Sequence, residues 1–142
     1  MQNRRTFIKQ SCALCISVIG LGAVASQLSS CSPMPVFKGE VDKNSITVPL
    51  SFFTEVNNML VVRNNKLAYD ILLVKLQDGS FSALEMKCSH QDNPLTANKT
   101  GLFCSAHGST FDFAGKVTKE PALEPLKKYK TETNTLYVQI NL

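Results

Sequence analysis

Cys88-Ser89-His90 and, after thirteen intervening residues, Cys104-Ser105-Ala106-His107-Gly108-Ser109-Thr110-Phe111-Asp112-Phe113 hold both histidines of this 142-residue chain and two of its five cysteines. Two histidines that both fall beside cysteines are a pattern, not a consequence of composition. Each half offers a thiolate and an imidazole on a short loop bounded by strand-like sequence. Two such loops can converge on one site from opposite sides. Four donors of these types suit either one tetrahedral Zn²⁺ or a two-iron cluster.

Outward from these loops, the sequence reads as strands. Tyr69–Gln77 is an apolar run closed by the hairpin turn Asp78-Gly79 and answered by Phe81–Lys87. Ser45–Leu50, Met59–Arg63, Gly101–Cys104, Thr110–Phe113, Lys116–Thr118, Leu126–Lys130 and Thr135–Ile140 are further short β-rich segments, with a turn at Ala114-Gly115 and a polar one near Glu132–Asn134. No segment carries a 3.6-residue apolar period, and no repeat is evident. Short strands with regular turn signals predict an all-β fold, a small antiparallel sandwich or barrel. Phe103, Phe111 and Phe113 are expected core residues, and Asp92 and Lys99 solvated loop charges.

The N-terminal third reads differently. Three of the fifteen cations (Arg4, Arg5, Lys9) lie in the first nine residues, and all eleven acids lie after Cys31, so the chain from Cys31 onward has a net charge of only +1. With no basic run, nothing suggests a nucleic-acid partner. Asn3-Arg4-Arg5-Thr6-Phe7-Ile8-Lys9 followed by the uncharged stretch from Cys12 to about Ala25 has the layout of a signal peptide, and the stretch is short for a spanning helix. The Arg-Arg string resembles a twin-arginine export signal, the address for proteins that cross a membrane already folded. Leu28-Ser29-Ser30-Cys31 resembles the lipobox of bacterial lipoproteins, which implies lipidation of Cys31, a membrane anchor and an extracytoplasmic, periplasmic-side location. Cys12 and Cys15 fall in the segment that processing would remove. Cys88 and Cys104 remain, in a compartment where two thiols are expected to be disulfide-bonded or metal-bound. The resulting division is a signal over 1–30, a Pro- and Gly-containing linker over 31–43 and one domain over 44–142.

Cys-x-His followed by Cys-x-x-His resembles the paired cluster-binding loops of the Rieske 2Fe-2S family. The flank His107-Gly108-Ser109-Thr110-Phe111 is similar to the family's second loop, and Lys119-Glu120-Pro121-Ala122-Leu123-Glu124-Pro125-Leu126 resembles the proline-containing loop that covers the cluster. The resemblance implies an all-β domain of small antiparallel sheets with two cluster-binding loops at one end. It also implies Cys88 and Cys104 as thiolate ligands of one iron, His90 and His107 as imidazole ligands of the other, and Ser109 as a hydrogen-bond donor to the cluster. Such a cluster is neutral when oxidised, whereas a four-thiolate cluster is already anionic. Its reduction is easier for that reason, and Rieske centres span about −150 to +300 mV. The outer imidazole nitrogens can release protons, which couples electron to proton transfer.

Two departures from the family pattern bear on function. Rieske proteins of the cytochrome bc complexes carry an extra cysteine in each loop, joined as a disulfide; the matching positions here are Asn93 and Ala106. Those proteins also place a tyrosine two residues after the loop serine, where this chain has Phe111. Hydrogen bonds to the sulfurs favour the reduced cluster, so losing one predicts a potential below that of the bc-complex proteins. The resemblance implies a one-electron carrier, or a small redox subunit, serving a quinol-oxidising complex, a cytochrome or a molybdenum oxidoreductase. A Rieske oxygenase needs a second iron site of two histidines and a carboxylate, and no histidine is left for it. The alternative is a structural zinc-binding lipoprotein domain using the same four ligands.

Overall fold

Met59–Arg63 (β4), Ile71–Lys75 (β5) and Phe81–Glu85 (β6) are buried over three, four and four consecutive apolar or small positions because both faces of the sheet that they form are covered. In the computed structural model, which describes residues 34–142, these three strands make the central layer. Around them lie β1 (Val36–Lys38), β2 (Val41–Asp42), β3 (Ser45–Pro49), β7 (Thr96–Asn98), β8 (Gly101–Phe103), β9 (Thr110–Phe111), β10 (Val117–Lys119), β11 (Lys128–Thr133) and β12 (Tyr137–Asn141), with one 3-10 turn at Leu50–Phe52. Eight strands form one sheet in the order β1-β4-β5-β6-β11-β12-β3-β2. The other four form a second sheet, β10-β9-β8-β7.

The alternation of side chains along each strand divides the core in two. Leu60, Val62, Ile71, Leu73, Phe81 and Ala83 face one side, where the large sheet curls to bring Ile46, Val48, Val138 and Ile140 against them. Val61, Leu72, Val74, Leu84 and Met86 face the other, against Leu102, Phe111, Ala122 and Leu126 of the small-sheet side. Cys88 and Cys104 belong to this second core. A shift of β6 by one residue would exchange the two faces, so the pairing Leu72↔Leu84 also fixes where the chain emerges toward Cys88.

The all-β expectation holds, with informative differences. Residues 36–42, which composition assigns to the linker, supply β1 and β2, and β1 pairs in parallel with β4 (Val36↔Val61), an exception in an otherwise antiparallel assembly. Asn134 ends β11 three residues later than its sequence suggests, because its side-chain oxygen accepts from the Leu136 and Tyr137 N–H groups (2.8 and 2.9 Å) and moves the turn past Thr133. Of the three phenylalanines expected in the core, Phe111 is fully buried, while Phe103 and Phe113 are half-buried. The export signal and Cys31 lie outside the described residues.

Candidate metal centre

The two Cys/His loops share one backbone design. In the first, residues 88–94 after β6, the Asp92 N–H donates to the Cys88 carbonyl (2.9 Å) and the Cys88 N–H to the Asn93 carbonyl (2.8 Å). In the second, residues 104–109 between β8 and β9, the Gly108 N–H donates to the Cys104 carbonyl (2.9 Å) and the Cys104 N–H to the Ser109 carbonyl (2.9 Å). Each loop thus closes from the fourth and fifth residues after its cysteine. The fourth residue is left-handed in both cases, Asp92 at φ +54° and Gly108 at φ +84°.

This closure sorts the donors. Cys88 and Cys104 are each 1% exposed, and both are free thiols. His90 and His107 are exposed, with ring centroids 4.9 Å apart and planes nearly perpendicular at 89°. The structure therefore brings the four sequence-predicted residues into one region, sulfurs inward and imidazoles outward.

A third loop, 120–125, ties the first two together. The Ser89 hydroxyl donates to the Glu124 carbonyl (2.6 Å), and the Ala122 N–H donates to Ser109 Oγ (3.0 Å). Ser109 is fully buried, and among the described residues its own hydroxyl proton has no acceptor. A hydroxyl that already accepts can still donate, so Ser109 is placed to give a hydrogen bond to a group held between the loops.

Two buried thiols and two exposed imidazoles are a donor set that fits a 2Fe-2S group, which takes two protein ligands on each iron and brings sulfides that can accept hydrogen bonds. The zinc alternative is not favoured.

Sequence reasoning missed what surrounds the first loop. The Tyr69 hydroxyl donates to the Asp92 carbonyl (2.6 Å), and Lys87 Nζ lies 3.0 Å from Asp92 Oδ1 and 5.7 Å from the centre of the Tyr69 ring. Asp92 is exposed, as expected, but it is not merely solvated. Its hydrogen bond holds the Lys87 ammonium above the usual lysine range.

The family model for the Rieske [2Fe-2S] domain matches residues 47–130, and the chain belongs to that family. The family binds a 2Fe-2S cluster, which implies an electron-transfer role. No curated protein matches the chain. Among solved structures, the cyanobacterial plasma membrane Rieske protein PetC3 from Synechocystis PCC 6803 is 25% identical over 60% of this chain and 87% of its own, with a TM-score of 0.53. The quaternary ammonium Rieske monooxygenase CntA is 20% identical over 70% of this chain and 31% of its own, at a TM-score of 0.56. Naphthalene 1,2-dioxygenase, as a mutant bound to phenanthrene, is 20% identical over 58% of this chain and 22% of its own, at 0.50. The chain spans less than a third of either oxygenase, and those two likenesses concern the fold alone.

Proposed function

We infer that this chain is a one-electron carrier, exported in folded form and tethered to a membrane by lipid on Cys31. In it, Cys88 and Cys104 hold one iron and His90 and His107 the other. The observation that carries this reading is the partition of the donors: two buried free thiols and two exposed imidazole rings 4.9 Å apart. When bound, the 2Fe-2S group supplies reversible one-electron chemistry.

The chain's own residues do the rest. Burial of the two cysteines keeps water from the thiolate side. The exposed edges of His90 and His107 give a redox partner its closest approach. Leu123, 79% exposed on the loop between the Ser89 and Ser109 contacts, offers an apolar contact to that partner. Rieske proteins serve as redox subunits or partners of larger oxidoreductases; the partner here is a quinol-oxidising complex, a cytochrome or a molybdenum oxidoreductase subunit.

Ser109 tunes the potential. Accepting from the Ala122 N–H leaves its proton free to be donated, and a bond about 1.4 kcal/mol stronger to the reduced form is worth ~60 mV for one electron. Ser109→Ala is expected to lower the potential by roughly that amount. In protein-film voltammetry the parent should lie below the bc-complex proteins, and a parent value above about +250 mV would contradict the loss of a donor at Phe111.

Export and tethering rest on Arg4-Arg5 and the lipobox-like Leu28–Cys31, together with the need to carry a preassembled cofactor across a membrane. Cys31→Ser is expected to move most of the coloured protein from the membrane fraction to the soluble extracytoplasmic fraction, since two or more acyl chains are what hold such an anchor. Protein that stays with the membrane after that substitution would refute the lipid tether.

A further inference from the structure

We propose that Tyr69 and Lys87 are positioning residues that hold the first loop in the conformation presenting Cys88 and His90, so that this loop needs no covalent cross-link. The proposal rests on the ligand assignment above and extends it to residues outside both loops.

The parallel between the loops shows why the first one needs outside support. Both require a left-handed residue four places after the cysteine. The second loop has Gly108 there, which adopts φ +84° without a side-chain clash. The first has Asp92 at φ +54°, a conformation that costs a residue with a Cβ free energy. Such a residue stays put only where its surroundings over-determine it.

Two contacts do this from opposite ends of Asp92. The Tyr69 hydroxyl grips its carbonyl at 2.6 Å, and Lys87 grips its carboxylate at 3.0 Å. The two holders also face each other, with the Lys87 ammonium 5.7 Å from the centre of the Tyr69 ring. Packing contributes less on this side. An open hollow of about 280 Å³, lined by Ala68, Tyr69, Asp70, Met86, Pro94 and Leu95, lies beside the loop. The residue after Asp92 is Asn93, the position matching a bridging cysteine in the bc-complex proteins, so the brace sits next to the place where those proteins use a covalent bond.

The topology explains how these residues meet. Tyr69 lies two residues before β5, Lys87 two residues after β6, and the β5–β6 pairing Ile71↔Glu85 brings those strand ends together. An ordinary solvent-facing tyrosine and lysine would leave the loop unchanged when removed. These two are expected to change the loop and little else.

The test is amide hydrogen exchange on the purified full chain, comparing parent, Tyr69→Phe and Lys87→Met. Loss of one hydrogen bond predicts exchange about fivefold faster across 88–94 in Tyr69→Phe, with 104–109 unchanged. In cluster-loaded protein the same variant should show a broadened EPR signal from the reduced state and faster loss of iron to a chelator. Unchanged exchange at 88–94, or an equal rise at 104–109, would overturn the proposal, because a merely structural role moves both loops through global stability. Exchange is readable whatever the metal content, so a colourless parent would count against the ligand assignment while leaving the brace to be judged on its own.

Discussion

Cys104→Ser is expected to give a folded, nearly colourless protein containing less than about a tenth of the parent's iron. The serine keeps the size of the side chain and its burial, so the small sheet and the Gly108 N–H bond to the residue-104 carbonyl are retained. What disappears is the soft thiolate, and a serine hydroxyl is a far poorer ligand for iron in a sulfide-bridged cluster. Half of one iron's protein ligands go with it. The same loss is expected for Cys88→Ser, while His90→Ala and His107→Ala remove ligands of the other iron. Visible absorption and iron analysis of the variants read the effect. The experiment also separates the disulfide alternative. If Cys88 and Cys104 were bonded to each other, Cys104→Ser would leave metal content alone and lower stability by about 2–5 kcal/mol.

The second large effect concerns stability and comes from a glycine with no chemical role. Gly101 opens β8, and a Cβ there would overlap the carbonyl oxygen of Phe111 and sit 3.1 Å from its carbonyl carbon and 3.3 Å from the Asp112 Cα. All three are backbone atoms of the facing strand region, so no side chain can swing aside. Gly101→Ala must push β8 and β9 apart, and with them the pairs Leu102↔Phe111 and Phe103↔Thr110 that frame the second loop. We expect a loss of about 3 kcal/mol. For a domain of this size that is a fall in Tm of roughly 15 °C by circular dichroism. A Tm within about 3 °C of the parent would mean that the two strands do not approach as closely as described.

How much of this was legible in the sequence depends on the distance over which each feature is specified. Met59–Arg63 is found at its exact bounds, because a doubly covered strand is a continuous apolar run ending in a charge. The β5–β6 hairpin was visible through Asp78-Gly79, whose glycine has φ +84° and whose aspartate accepts from the Ser80 N–H and hydroxyl. The donors at Cys88, His90, Cys104 and His107 stand out because histidine is so scarce in the chain.

Features specified at long range were not legible. Val36–Lys38 becomes a strand only by lying parallel to Val61–Arg63, twenty-five residues away, and Pro33, Pro35 and Gly39 give that stretch the composition of a linker. Thr96–Asn98 is a short polar edge strand with no periodic signal of its own. Tyr69 and Lys87 carry no motif, and their joint contact with Asp92 exists only once β5 and β6 have paired. The bond from Ala122 to Ser109 joins two loops whose covering relation the family resemblance suggests, but the hydroxyl proton it leaves available on Ser109 depends on how the two loops pack.

The account turns on two histidine nitrogens and two cysteine sulfurs sharing one pair of irons. Its most direct test is an EPR measurement on dithionite-reduced protein, purified anaerobically from cells with intact cluster assembly and grown with either ordinary or ¹⁵N-labelled histidine. The account predicts a 2Fe-2S signal whose nitrogen couplings change with the histidine label. A signal indifferent to the label, or none at all from protein that carries zinc or no metal, would contradict it.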